Sequence, residues 1–107
     1  MADTDTCRHR SHIKLDRLPA SVNGCEDCLA AGTLWLRLRL CLECGHVGCC
    51  DESPQRHATA HANETGHPII RSLQPGELWS WCYIDRFVLL TPDVTGTTRI
   101  PPSPLGE

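Results

Sequence analysis

The clearest alternation of apolar and polar residues lies at residues 34–40. Leucine stands at every second position there, with Trp or Arg between, and this pattern indicates a β-strand that buries one face. Residues 67–73 predict a second strand, and residues 78–90, beyond the turn at Pro75-Gly76, predict one or two more. The pattern therefore predicts a small sheet.

One helix is predicted after the first strand, from Ser53 to about Asn63. Ser53 would be its N-cap, Pro54 would take the first helical position, and Gly66 would end it. Residues 7–24 are expected to form a loop or a short helix.

Both ends of the chain have the composition of flexible segments. Residues 1–6 are predicted to be disordered, and residues 91–107, rich in Pro, Thr and Gly, are predicted to be a flexible tail. The folded domain is therefore expected to span residues 7–90.

The core of this domain must be small. The chain has 107 residues, with one Phe, one Tyr, one Met and three Trp, and so few large apolar residues usually require metal ions or disulfides as additional support.

Residues 1–5 are acidic rather than signal-like, and the longest apolar run, residues 87–90, is too short to span a bilayer. We therefore expect a cytoplasmic protein whose eight cysteines stay reduced and free to bind metal.

The formal net charge of −3 also limits the class of partner. Proteins that follow a phosphate backbone are generally basic, and the one basic stretch, residues 8–17, is interpreted as a solvated segment. We therefore expect no nucleic-acid partner. We also expect no membrane partner and a monomeric protein.

Cysteine and histidine residues follow one another in an order that is typical of zinc ligands. They are Cys7, His9, Cys25, Cys28, Cys41, Cys44, Cys49, Cys50, His57, His61, His67 and Cys82. Two Cys-x-x-Cys pairs followed by histidines one helical turn apart match tetrahedral zinc. A redox Cys-x-x-Cys pair would not need those histidines. A zinc-peptidase helix would need a Glu base where Ala58 stands, so we predict no enzyme.

The order of these residues favours two interleaved metal sites. One ion would leave most of them unused, and two successive fingers would need a ligand pair after each Cys-x-x-Cys. The interleaved arrangement has site one at Cys25, Cys28, Cys49 and His57, and site two at Cys41, Cys44, His61 and His67. Four protein ligands at each ion are typical of structural zinc. Cys50 is interpreted as a buried thiol outside both sites.

The same residues make the chain similar to the UBP-type zinc finger, over roughly residues 7–90. The resemblance is carried by Gly24-Cys25-Glu26-Asp27-Cys28, Leu40-Cys41-Leu42-Glu43-Cys44-Gly45-His46-Val47-Gly48-Cys49, His57, His61, Thr65-Gly66-His67-Pro68 and Trp81-Cys82-Tyr83. This family occurs in ubiquitin-specific proteases and in a cytoplasmic histone deacetylase, and the chain resembles its short stand-alone bacterial members. The resemblance implies an α+β fold, a small zinc-stapled domain with a twisted antiparallel sheet and flanking helices.

The resemblance also implies a third metal site. Three-zinc members of the family use an N-terminal Cys-x-His and a late Cys-x-x-Cys, which Cys7, His9 and Cys82 match. Asp85 stands in the place of the last cysteine, and a carboxylate is an acceptable zinc ligand. We therefore expect two zinc ions, with Cys7, His9, Cys82 and Asp85 as a candidate third site.

The resemblance implies that the finger of eukaryotic relatives binds the free carboxyl terminus of ubiquitin. The terminus lies between aromatic residues, an Arg and a Tyr. Trp81 and Tyr83 match two of the aromatic positions, and Trp35 is the candidate for another. Asp51 and Glu52 stand where the Arg and the Tyr would be. Two carboxylates there would repel the terminus, so this mode of binding is disfavoured.

An arginine elsewhere could replace the missing one, and Arg56 is the first candidate, followed by Arg37 and Arg39. We therefore predict a non-enzymatic interaction module whose partner is a protein or peptide terminus near Trp35, Trp81 and Tyr83. The alternative is a redox- or metal-sensing regulatory protein, in which oxidation near Cys50 releases zinc.

Overall fold

The computed structural model describes residues 9–106 of the chain. Within that range it contains a five-stranded antiparallel sheet and two α-helices, which confirms the predicted α+β class. In chain order the elements are a 3-10 helix at Arg10–His12, α1 at Glu26–Ala31, β1 at Leu38–Cys41, β2 at Val47–Cys49, α2 at His57–Thr65, β3 at Ile69–Ser72, β4 at Trp79–Cys82 and β5 at Phe87–Leu90. The strands lie in the order β2-β1-β3-β4-β5.

The two faces of the sheet have different environments because side chains alternate along each strand. Leu38 and Leu40 of β1 point into the hydrophobic core, and each is 1% exposed. Ile69 of β3 and Leu89 of β5 lie on the same face and are equally buried. We call this the core face. The opposite face, which we call the outer face, carries Arg39, Ile70, Trp79, Trp81 and Val88.

Helix α2 packs very closely against β2 because Gly48 has no side chain. A Cβ atom at Gly48 would lie 2.7 Å from the backbone nitrogen of Ala58. No larger residue fits without moving one of the two elements. The close contact brings the first residue of α2, His57, next to the end of β2.

Helix α2 begins at His57, so the start predicted at Ser53 and Pro54 was wrong. Its N-cap is Arg56, in the left-handed region at φ 48°. The Ser53 hydroxyl instead accepts a hydrogen bond of 2.8 Å from the backbone N–H of Leu36. The helix ends at Thr65, two residues beyond the predicted Asn63, and the predicted role of Gly66 is confirmed, because it follows the helix with φ 76°.

Strand β1 is also shorter than predicted and begins at Leu38 rather than at Leu34. Leu34 is 50% exposed, whereas Trp35 is 8% exposed. The ring of Trp35 packs directly on the backbone of Gly24, where an added Cβ would lie 2.4 Å from it. Residues 34–37 therefore lie outside β1, although the carbonyl of Arg37 still accepts a hydrogen bond from the N–H of Cys50, next to β2.

The described part of the C-terminal segment, residues 91–106, runs beside the first part of the domain. Thr95 and Arg99 form parallel bridges with Arg17 and Ser21, and Val94 is 5% exposed. These contacts fix where the segment runs. They do not test how far it moves, so its flexibility stays a prediction. The predicted disorder of residues 1–6 lies outside the described residues. Across residues 9–106, no helix has the length and apolar character needed to cross a membrane.

Candidate metal centres and a neighbouring cavity

The first candidate metal site combines α1, β2 and α2. Cys25 is the N-cap of α1, and Cys28 lies within that helix. Cys49 ends β2, and His57 begins α2. The structure thus brings together the four residues that the sequence order assigned to this site, with their ligand atoms within 4.8 Å of one another.

The distances in this first cluster fit a tetrahedral ion. The Nδ1 atom of His57 lies 3.4, 3.3 and 3.6 Å from the Sγ atoms of Cys25, Cys28 and Cys49, respectively. Typical zinc–sulfur and zinc–nitrogen bond lengths give a nitrogen–sulfur edge of about 3.6 Å in a tetrahedron. The donor set therefore fits zinc in both type and spacing.

Backbone amides point at the sulfur atoms of this cluster. The N–H of Cys28 donates to Cys25 Sγ over 3.4 Å, and the N–H of His57 donates to Cys49 Sγ over 3.2 Å. Such hydrogen bonds stabilise thiolates. Burial nevertheless raises the pKa of Cys25 and of Cys49, so these thiols keep their protons unless a cation replaces them.

The second candidate metal site lies between β1, the turn after it, and α2. Cys44 Sγ is 3.3 Å from His61 Nε2, and Cys41 Sγ is 3.5 Å from His67 Nδ1. These are again the four residues that the sequence order grouped together. Burial raises the pKa of Cys41 to about 11, whereas Cys44 is exposed. This cluster therefore lies nearer the surface than the first.

Further side chains hold the histidines of the second cluster in place. The ring of His46 stacks on that of His61 with centroids 4.4 Å apart, and His46 Nε2 lies 2.7 Å from an oxygen of Asp27. His67 Nε2 lies 3.9 Å from a carboxylate oxygen of Glu43. Burial lowers the pKa of His61, and His46 acts in the same direction, so His61 is favoured in its neutral, metal-binding form.

The third candidate site is seen in part. His9 Nδ1 lies 3.1 Å from an oxygen of Asp85 and 3.6 Å from Cys82 Sγ, which also accepts a hydrogen bond from the N–H of Asp85. These three residues form the described portion of the cluster. Cys7, the fourth predicted member, lies outside the described residues. Cys50 belongs to none of the three clusters found in residues 9–106, and it is 5% exposed.

A cavity of about 410 Å³ opens on the outer face of the sheet. Trp79, Trp81 and Tyr83 line it, so two of the predicted ligand-binding residues, Trp81 and Tyr83, lie at one site, and their binding of a ligand stays a prediction. Trp79 was not among the predicted residues, although its position two residues before Trp81 on a strand places both on one face. The other two predicted ligand-binding residues, Trp35 and Arg56, are not among the described residues that line this cavity. Trp35 borders a separate cavity, and Arg56 is an exposed residue that precedes α2.

Arg39 is the cation in the wall of this cavity. Its guanidinium lies over the ring of Trp79, 4.7 Å from the centroid, and donates hydrogen bonds to Leu38 O and Ser72 Oγ. It also lies 3.7 Å from a carboxylate oxygen of Glu77. Burial lowers the pKa of Arg39, and the Glu77 carboxylate acts in the opposite direction, so the guanidinium stays charged and has an acidic neighbour inside the wall.

Two acidic residues, Asp51 and Glu52, form the exposed rim of the cavity. Glu52 is paired with Arg37. Asp51 accepts a hydrogen bond of 2.5 Å from the hydroxyl of Thr59, which lies 3.3 Å from the Tyr83 oxygen. Burial raises the pKa of Tyr83, and the charge of Asp51 raises it further, so the phenol stays neutral.

Comparison with known proteins places these clusters in a family. Residues 25–91 match the family model described as Zn-finger in ubiquitin-hydrolases and other protein. Ubiquitin carboxyl-terminal hydrolase 44 of Ailuropoda melanoleuca is 28% identical over 104 residues, which cover 94% of this chain and 14% of that protein. Its counterpart in Danio rerio is 30% identical over 100 residues, which cover 90% of this chain and 13% of that protein. The chain thus spans only a small part of these curated relatives.

A solved structure is similar over almost the whole chain. The solution NMR structure of protein RPA1320 from Rhodopseudomonas palustris is 44% identical in sequence and superposes with a TM-score of 0.74. The match covers 92% of this chain and 97% of that one. The family match and the cysteine–histidine clusters agree, and the chain belongs to the family of zinc fingers found in ubiquitin hydrolases and other proteins.

Proposed function

We propose that this chain is a non-enzymatic interaction module, held together by zinc, that binds a segment of a partner protein in the cavity on its outer face. The observation that carries the proposal is the cavity itself. Trp79, Trp81 and Tyr83 converge on it from one strand and the turn after it, and it opens to solvent. A small number of aromatic anchors in a concave site is typical of protein recognition.

The metal sites support a structural role for zinc. The first and second clusters each supply four protein donors, which complete a tetrahedral coordination sphere and leave no position for a substrate. We expect one zinc ion in each. His9, Cys82 and Asp85, joined by Cys7, would hold a third ion more weakly, because a carboxylate replaces one thiolate.

The family relationship does not identify the partner. The finger in ubiquitin hydrolases is implied to hold a terminal carboxylate, whereas here Asp51 and Glu52 form the rim of the cavity. A ubiquitin-like terminus bound in that geometry is therefore disfavoured. The net charge of −3 argues equally against nucleic acid, and the need for free thiolates favours a reducing, cytoplasmic location.

Titration of the ¹⁵N-labelled, zinc-loaded protein tests the proposal. The panel of short peptides varies both termini and the central residue, with free Gly-Gly carboxyl ends included. The three indole N–H signals distinguish binding in the cavity from binding elsewhere, because Trp79 and Trp81 line the cavity and Trp35 does not. Saturable shifts of Trp79 and Trp81, with Trp35 unchanged, are expected for at least one peptide class. If no peptide of the panel shifts the Trp79 or Trp81 signal, the proposal is refuted.

A second candidate function is sensing of oxidants or of metal. The observation in its favour is the exposure of Cys44 in the second cluster, because the other described cysteine ligands are buried. An accessible zinc thiolate is open to oxidation, which would release the ion. Zinc release measured against mild peroxide separates the candidates, since retention of all zinc rules out sensing.

A further inference from the structure

Building on the proposed function, we propose that the cavity binds the side chain of a lysine from the partner protein. The ammonium group would lie beside Asp51, and the aliphatic stem would lie against Trp81. The ligand is thus a cation, opposite in charge to the terminal carboxylate implied by the family resemblance.

The balance of charge around the cavity supports a cationic ligand. The charged residues that line it, among those the structure describes, are Arg39, Asp51 and Glu52. Arg39 lies near Glu77, and Glu52 is paired with Arg37, so each of these charges has a partner in the protein. Among residues 9–106, the Asp51 carboxylate has a hydrogen bond from Thr59 and no cation in ion-pair contact. The cavity therefore keeps one carboxylate that an incoming cation can neutralise.

The aromatic rings support the same choice. Cations bind favourably over the faces of Trp and Tyr rings because the π-system carries negative charge there. The protein already uses this interaction in the cavity wall, where the Arg39 guanidinium lies over Trp79. Trp81 and Tyr83 line the same cavity beside Asp51 and offer a second place for a cation.

The remaining wall fits the stem of a lysine better than an anionic group. Ile70 and Val88 flank Trp81 on the neighbouring strands and line the cavity, so four methylene groups would meet apolar side chains. A carboxylate ligand would instead meet Asp51 and Glu52 at the rim. It would also compete for Arg39, whose hydrogen bonds go to Leu38 and Ser72.

Three matched peptides test the inference by indole N–H titration of the zinc-loaded protein. They are acetylated and amidated, so that they carry no terminal charge, and differ only in a central lysine, norleucine or glutamate. Norleucine has a straight aliphatic chain without the charge. We expect the lysine peptide to shift Trp79 and Trp81, and to bind about tenfold more tightly than the norleucine peptide. The glutamate peptide should not bind measurably.

A charge-neutral variant identifies the residue responsible. Asp51→Asn keeps the shape of the side chain and an oxygen that can accept from the Thr59 hydroxyl. It should weaken binding of the lysine peptide about fivefold and leave binding of the norleucine peptide unchanged. Asp93→Asn is the matched control, because it removes the same charge from an exposed position that borders a different cavity. An unchanged Trp35 signal confirms that each variant is folded.

The outcomes separate this inference from the proposed function. Equal binding of lysine and norleucine peptides, or equal effects of the two Asn variants, would overturn the lysine assignment and leave an aromatic peptide site in place. Binding of a Gly-Gly carboxyl end without binding of lysine would do the same. Absence of binding by every peptide, including those of the wider panel, would overturn both.

Discussion

His57 and His61 lie one turn apart on helix α2, yet their rings belong to different candidate metal clusters. The Nδ1 atom of His57 faces the cysteines of α1 and β2, whereas the Nε2 atom of His61 faces Cys44. A nine-residue helix therefore connects the two sites, and a displacement of the helix moves one ligand of each.

Loss of one histidine on α2 is expected to affect both ions. His61→Ala should remove the zinc of the second cluster and also weaken zinc binding at the first, because α2 loses one of the two histidines through which it is attached to a metal ion. Zinc content by elemental analysis, with competition by a chromogenic chelator, measures both effects. Asn63→Ala is the control on the same helix and should retain all zinc. Full zinc content in His61→Ala would contradict the ligand assignment.

Removal of zinc is expected to unfold the domain. Zinc contributes an apparent binding free energy of about 10–16 kcal/mol in zinc-finger peptides, comparable to the whole stability of an ordinary domain at about 5–15 kcal/mol. Circular dichroism should therefore show loss of the native spectrum on chelation and its recovery when zinc is added. A native spectrum without metal would show that the hydrophobic core is sufficient.

Zinc affinity at the second cluster should rise with pH from neutral to mildly alkaline solution. Burial raises the pKa of Cys41 to about 11, so this thiol is protonated in the metal-free state and must release its proton when zinc binds. Each proton released gives about a tenfold gain in affinity per pH unit. The pKa of His61 is lowered, so at neutral pH this histidine should contribute no proton of its own. Calorimetry in buffers of different ionisation enthalpy counts the protons, and a count of zero would contradict the expectation.

Asp85 is expected to set the affinity of the third cluster. Asp85→Cys supplies a softer thiolate in its place and should raise zinc affinity there, whereas Asp85→Ala should lower it. The measurement is zinc content after dialysis against a weak chelator. Identical zinc content in the parent and both variants would show that His9, Cys82 and Asp85 hold no ion.

Gly48→Ala should destabilise the domain more than Gly32→Ala. A Cβ atom at Gly48 would meet the backbone of α2 at 2.7 Å, and such overpacking costs about 1–3 kcal/mol. At Gly32 nothing lies within 4 Å, so the cost there is only that of a left-handed alanine, about 1–2 kcal/mol. The neighbours of Gly48 are backbone atoms that cannot rotate away, which places its cost at the upper end of the overpacking range. Thermal unfolding of the zinc-loaded variants measures the difference. A smaller effect at Gly48 would indicate that α2 moves away easily.

The grouping of the cysteines and histidines could be predicted because metal chemistry restricts it. A tetrahedral ion needs four donors within a few ångströms, and Cys-x-x-Cys turns and a His-x-x-x-His helix are among the few local arrangements that supply them. The sheet followed from alternation in the same way, with Leu38 and Leu40 on the core face.

The residues whose positions differ most from expectation have partners elsewhere in the chain. Ser53 resembles an N-cap, but its hydroxyl is used by Leu36 from another part of the chain. Trp35 was assigned to the ligand pocket, but it is buried against Gly24. Neither contact leaves a periodic signal, so only the folded structure shows it.

Cys82 lies between two residues that line the cavity, Trp81 and Tyr83, and its side chain points to the core face, where the third cluster forms. One short stretch of backbone therefore carries a candidate metal ligand on one side and the candidate recognition surface on the other. By thermodynamic reciprocity, a partner that prefers the metal-loaded arrangement of this stretch must also tighten the hold on the metal, by the same factor. We expect the affinity for the partner to vary with the concentration of free zinc, so that metal supply would regulate an interaction it does not touch.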